Sequence, residues 1–362
     1  NSFFKGNYLF QQHTDAEAII PYLSFAKKYI ADCEEKYGLQ EVEDILDSAH
    51  ALQNYGVDRY QKVTIAEEAD EQEVRLTAVQ REAKELWERL VDVEEEDEEA
   101  KRFPEYPQEN LLYFLEKNAP LLKPWEREVV RIVRKISSYF YPQSKTQVMN
   151  EGWACTWHWT IMHDLYDMGE LTDGQMLEFL SSHTAVTYQP DHDHPHYSGI
   201  NPYALGFQIF MDIKRMCEEP TEEDKRWFPN LNSDWLVEVK YAMENFKDET
   251  FVQQYLSPKV MRDMRLFAIV DDDMEDSYLV SAIHNDKGFK DLRESLSRQY
   301  GRRDPELEVY NVDIKGDRLL TLRHNSVSRM PLGDDTDECL LHLQRLWVET
   351  EDLEIIEVTH ET

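Results

Sequence analysis

Apolar residues recur at helical intervals through about the first 270 positions, and from "FAIVDDD" onward they come in short runs and alternations. This change of period constrains the fold most. A segment patterned at 3.6 residues cannot bury its apolar set as a strand, and one patterned at 2 cannot bury it as a helix. The first part predicts helices over 14–37, 39–54, 108–118, 124–140, 146–168, 172–185, 202–218 and 234–246. Thr14 with Glu17 reads as a capping box, Gly38 as a stop, and Asn201 followed by Pro202 as a cap and first turn. In the last part "YLVSAIH" reads as a strand and "KGFKDLRESLSRQY" as a helix. "LEVYNVDIKG" and "DRLLTLRH" read as a hairpin turning near Gly316 and Asp317, "DECLLHLQRLW" as a helix and "VETEDLEIIEV" as a strand. The order β-α-β-β-α-β is the split ferredoxin-like arrangement. The expectation is a mainly α helical domain over 1–270, followed by a small α+β ferredoxin-like (βαββαβ) domain over 271–362. An acidic insertion at about 65–105 contains "EEEDEEA", whose like charges favour a solvated segment.

Charge narrows the partners. With 73 Asp and Glu against 39 Lys and Arg, the formal net charge is −34, which repels nucleic acid and anionic membrane surfaces. Such acidity serves solubility, or it meets a basic protein partner. Cys33, Cys155, Cys217 and Cys339 form no CxxC pair, as suits reduced thiols. No run of about 18 apolar residues occurs, and "NSFFKGNYLF" lacks a signal-peptide layout, so a cytoplasmic location is expected. The chain starts at Asn1 rather than Met, and an upstream continuation is expected.

The stretch "MNEGWACTWHWTIMHDLY" sets the chemical question. Seven residues of helix advance to within about 20° of two full turns, so Glu151 and His158 project from nearly one face. Carboxylate and imidazole are zinc ligands, and a catalytic zinc takes three protein ligands with an open fourth position. The alternative is a hydrogen-bonded pair beside Trp neighbours. His50 has Asn54 one turn later and reads either as a base or as a helix histidine bonded to a nearby oxygen. In "DHDHPH" an extended chain would place His192, His194 and His196 on one face, although Pro195 and the flanking acids point to a solvated loop that binds metal adventitiously or not at all. Cys155, without a cationic neighbour in sequence, reads as a buried, inert thiol. No GxSxG, P-loop or GxGxxG is present.

The blocks "NSFFKGNYLF", "YGVDRY", "MNEGWACTWHW", "YSGINPYALGF" and "ETFVQQYLSPKVMRDMRLFAI", in that order, resemble the stage V sporulation protein R (SpoVR) family over nearly the whole chain. The resemblance implies a bacterial or archaeal cytoplasmic protein, linked in spore formers to spore cortex formation. It also implies genes that accompany a PrkA-type serine kinase, a candidate partner. Family members usually carry a His-Ala-x-x-Gly-His pattern just upstream of "NSFFKGN". That pattern resembles HExxH with Ala in place of the Glu base, and "EGWA" resembles the third-ligand motif of one gluzincin group. The implied role of Glu151 is third ligand of a divalent metal such as zinc in a metal-dependent hydrolase relative. The base would then be another residue, with His158 and His50 as the catalytic candidates. Without the upstream histidines, residues 1–362 are expected to hold no stoichiometric zinc. A non-enzymatic regulatory or scaffolding protein is the competing expectation.

Overall fold

The computed structural model describes residues 6–15, 17–57, 103–104, 107–191, 194–266, 270–272, 275–278, 285–301, 307–313, 318–325, 332–333, 336–347 and 353–358. The helices are α1 (Tyr8–His13), α2 (Ile19–Tyr37), α3 (Leu39–Ala51), α4 (Leu111–Asn118), α5 (Pro124–Lys145), α6 (Gln147–Asp167) and α7 (Asp173–Val186). They continue with α8 (Pro202–Glu218), α9 (Glu222–Trp227), α10 (Trp235–Asn245), α11 (Asp248–Tyr255), α12 (Pro258–Asp263), α13 (Asp286–Gly301) and α14 (Thr336–Trp347). The strands are β1 (Val270–Asp272), β2 (Glu275–Tyr278), β3 (Leu307–Val312), β4 (Leu320–Asn325) and β5 (Leu353–Val358). A mainly helical part followed by an α+β part is therefore the observed class.

Packing groups these elements into two units that differ from a linear division at 270/271. One holds residues 1–16 and 139–303, the other 17–138 and 304–362. Helix α13, expected in the α+β part, belongs to the first unit. Its Phe289 and Leu296 are buried in that unit's core with Phe251 and Val252, and the Ser297 hydroxyl donates to Glu249 O at 2.9 Å.

The first unit is built on the crossing of α6 and α8. Val148, Met149, Leu205, Ile209, Phe210 and Ile213 are buried there. Gly152 and Gly206 mark the crossing: a Cβ on Gly206 would meet Gly152 Cα at 2.7 Å, and one on Gly152 would meet Gly206 O at 2.8 Å. Glycine inside a helix costs about 1 kcal/mol relative to Ala, and here the missing side chains let two backbones touch. Helix α6 receives its N-terminal cap from a distant residue, since Thr146 makes no side-chain cap bond. The Asp248 carboxylate, 1% exposed, accepts from Val148 N at 2.9 Å and Met149 N at 3.0 Å. It satisfies orphan amides where a helix carries partial positive charge.

In the second unit β3 pairs antiparallel with β4 as the predicted hairpin, and β5 lies parallel to β4. A ferredoxin-like sheet would place the first strand of the β-α-β-β-α-β order beside β4 and antiparallel to it. Here β5, reached by the α14 crossover, occupies that place in parallel, while β1 and β2 pair with each other. The described strands therefore show a smaller three-stranded sheet. Leu111, Leu115, Val130, Val309, Leu322, Leu346 and Trp347 form the core beside it.

Some local expectations change. Helix α2 starts at Ile19 with no side-chain cap, and Thr14 closes α1 by donating its hydroxyl to Phe10 O, so the predicted capping box does not form. Helix α3 ends at Ala51 and gives way to a 3-10 turn at Gln53–Tyr55, which takes Asn54 off the helical face of His50. The insertion at about 65–105 lies almost wholly outside the described residues, as do "LVSAIH" and the hairpin turn at Gly316–Asp317. Helices α1, α9, α11 and α12 carry too few turns to show a period in sequence.

Candidate functional site

Glu151 stands one turn into α6, half-buried, one residue from the glycine crossing. Its polar neighbour is Tyr203, which interacts with the Glu151 carboxylate. Burial, followed by this interaction with Glu151, pushes the Tyr203 phenol above its usual value. The phenol therefore stays protonated and remains a donor.

Tyr203 is placed by the cap of α8. Asn201 accepts from Tyr203 N at 3.0 Å, its amide donates to Val186 O at 2.9 Å and Tyr188 O at 3.0 Å, and its own N–H donates to Gln189 Oε1 at 2.7 Å. The start of α8 is thus tied to the end of α7, and Pro202 occupies the first helical position, where a missing N–H costs nothing. Asp248, the glycine crossing and Asn201 together fix the pair.

Cys155 lies one turn beyond Glu151 and is buried, as expected. Burial, and then the negative charge of Glu151, push its thiol up, so it is neither a thiolate ligand nor a nucleophile at neutral pH.

His158, a candidate base, is exposed and does not stand alone. Its ring lies edge-on to Phe179 at 4.9 Å and 5.9 Å from His183. His183 is 3% exposed, with Trp159 at 5.2 Å and Phe207 at 4.9 Å, and its Nε2 has no hydrogen-bond partner among the described residues. Burial, then His158 and His163, lower its pKa below the ordinary 6.5. His163 stacks on Trp159 at 4.0 Å, with Nδ1 2.8 Å from Trp159 O; a carbonyl only accepts, so that nitrogen carries the proton.

His50, the other candidate base, is exposed in the last turn of α3 and belongs to the second unit, whereas Glu151 and His158 belong to the first. The "DHDHPH" loop is not extended where it is described. Tyr197 N donates to His194 O and His194 N to Asp191 O, closing turns, and His196 N donates to His194 Nδ1 at 3.2 Å. His194 and His196 have ring centres 5.4 Å apart, and His192 lies outside the described residues.

Two other buried carboxylates are held by arginines. Glu116 holds Arg131 and Arg134, and burial, which would raise its pKa, is outweighed by them. Asp224 is likewise pushed up by burial and pulled down further by Arg215 and Thr221, to about 2. Neither serves as a proton carrier near neutrality. A cavity of about 170 Å³ in the second unit is lined mainly by leucines such as Leu52, Leu111, Leu322 and Leu343, with Tyr55, Thr336 and Cys339 as its polar members and no Asp, Glu, His, Lys or Arg among the described residues that line it.

Tyr203, His163, His183 and Asp248 were not legible as site residues. One signal pointed to the region: no Lys or Arg lies between Lys145 and Lys214, while His158, His163, His183, His192, His194 and His196, half of the chain's 12 His, do.

Comparison with known proteins agrees with the resemblance. The family model described as SpoVR like protein matches residues 1–304, and the SpoVR-like C-terminal domain matches residues 305–350. The uncharacterized protein YcgB of Escherichia coli (strain K12) is 56% identical over 355 residues, covering 96% of this chain and 70% of that protein. No solved structure matches.

Proposed function

The chain belongs to the SpoVR family, and from that premise we propose that its first unit is a hydrolase-like scaffold in which Glu151 is one ligand of a divalent metal such as zinc. The observation that carries this reading is the backbone-to-backbone crossing at Gly152 and Gly206, which sets half-buried Glu151 beside Tyr203, a phenol that interacts with it. A ligating carboxylate works best when a neighbouring donor fixes its orientation, and the protonated phenol of Tyr203 is the group placed to do so.

The residues in hand do not complete the site. Among the described residues no three His, Cys, Asp or Glu side chains group to hold a metal ion. They fit the role of one ligand with its orienting partner, and no step is derived through the ion. The remaining ligands are assigned to the His-Ala-x-x-Gly-His segment that the family resemblance implies.

The test is elemental analysis, without chelators, of a full-length version carrying that segment, beside its Glu151→Ala and Tyr203→Phe variants. The expected result is bound metal in the parent, loss in Glu151→Ala and weaker retention in Tyr203→Phe. Equal metal content in all three would refute the assignment.

A second reading, a regulatory scaffold that partners a PrkA-type serine kinase, is favoured by the net charge of −34. Deleting residues 271–362 would not test it, because that cut removes Phe289 and Leu296 from one core and Leu322 and Trp347 from the other. Kinase capture by chains with surface substitutions is the appropriate measurement, and capture that no surface substitution weakens would count against this reading.

A further inference from the structure

The outward side of α6 carries an apolar stripe with no role in the Glu151 site. Ile161 is 50% exposed, Met168 is 73% exposed, and Leu165 between them is half-buried. On a helix, residues four and seven positions on lie within about 40° and 20° of the first, and Met168, the C-cap of α6, keeps helical backbone angles, so these three form one line along the second half of α6 and its C-cap. Isolated exposed apolar residues are ordinary, whereas an aligned i, i+4, i+7 set is the arrangement that meets another helix.

The surroundings of the stripe are acidic. Asp164 and Asp167, both exposed, border it on one side, and exposed Glu170 follows in the turn. On α7, Asp173 and Glu178 are exposed as well. Tyr166, next to the stripe, donates to Asp173 at 2.9 Å. Exposed helices usually offset such acids with Lys or Arg one turn away. Here neither α6 nor α7 nor the turn between them supplies one, because no Lys or Arg lies between Lys145 and Lys214.

We propose that this face of α6 docks a cationic amphipathic helix of a partner protein. Its apolar residues would pack on Ile161, Leu165 and Met168, and its Lys or Arg side chains would meet Asp164, Asp167 and Glu170. The pairing follows coiled-coil logic, with an apolar seam that supplies burial and flanking charges that select the partner. An anionic membrane is disfavoured by the same acids, and so is a second copy of this chain, which would set acidic rims against each other. Unbranched Met168, at the end of the stripe, adapts to varied apolar partners. The inference is independent of metal binding at Glu151.

The probe is a fluorescent synthetic Leu/Lys amphipathic helix, compared with a scrambled peptide of the same composition, titrated into the whole chain while anisotropy is followed. Three pairs of substitutions, all at exposed positions, are compared with the parent: Ile161→Ser with Met168→Ser, Asp164→Lys with Asp167→Lys, and, as a control on α2, Asp32→Lys with Glu35→Lys. Circular dichroism checks that each variant is folded. The ordered peptide is expected to bind better than the scrambled one. Each stripe pair should weaken it about tenfold, roughly 1.4 kcal/mol, the control pair less than about twofold, and added salt should weaken it throughout. Absent binding, equal binding of ordered and scrambled peptides, or equal losses in control and stripe variants would overturn the proposal. So would self-association of the chain that Ile161→Ser with Met168→Ser abolishes, since a second copy would then be the occupant.

Discussion

Gly152 and Gly206 face each other so closely that a Cβ on Gly206 would meet Gly152 Cα at 2.7 Å. The helix bearing Glu151 and the helix bearing Tyr203 therefore cross backbone to backbone, and nothing larger than hydrogen fits between them. Gly206→Ala should force them apart and destabilise the first unit by about 3 kcal/mol, at the upper end of overpacking effects. Urea denaturation measures it. An unchanged midpoint would mean that the crossing is looser than described.

The cap from Asp248 gives a second expectation. Asp248→Ala removes the acceptor of Val148 N and Met149 N and leaves two buried amides unsatisfied. The loss should be about 2 kcal/mol, the upper range for an N-cap, because the site is buried. Asp248→Asn, which keeps one acceptor oxygen, should recover part of it. Thermal and urea unfolding of the two variants decide whether the cap or the side-chain volume matters.

Stability should depend on pH through His183. Its folded-state pKa lies below the ordinary 6.5, chiefly from burial and then from His158 and His163. The unfolded chain accordingly binds more protons just below pH 6.5, and stability falls as pH drops through that value toward the lower folded pKa. The contribution is fully present above about 6.5. His183→Leu should flatten the slope of urea midpoints between pH 7.5 and 5.5 relative to the parent. Identical slopes would place the titration elsewhere.

The helical part was legible because long amphipathic segments announce their period: α6, α7, α8 and α10 fall within two residues of the expected ends, and the Asn201–Pro202 start forms as read. Sequence could not show that α13 leaves the α+β part to pack on the helical core. Its apolar face fits a helix surface as well as a sheet, and only Phe289 and Leu296 meeting Phe251 and Val252 decide between them. The site was half legible for the same reason. Glu151 and His158 stand out in a short segment, whereas Tyr203 reaches Glu151 through a helix crossing and Asp248 caps α6 from a separation of 100 residues.

Zinc binding by residues 1–362 alone should be weak at Glu151, since a lone carboxylate competes poorly with water for a metal that usually takes three protein ligands. Titration calorimetry should show any binding lost with His194→Ala or His192→Ala and unaffected by Glu151→Ala. Tight binding abolished by Glu151→Ala alone would reveal ligands within this chain that the family resemblance does not supply.

If Glu151 is a metal ligand, anomalous scattering at the zinc edge from crystals of a full-length SpoVR protein grown without chelators will show it. The expected peak lies about 2.0–2.2 Å from a Glu151 carboxylate oxygen, the distance of a zinc–carboxylate bond, with the Tyr203 phenol beside the same carboxylate. A crystal whose zinc lies elsewhere, with no metal at the Glu151 carboxylate, would rule the assignment out.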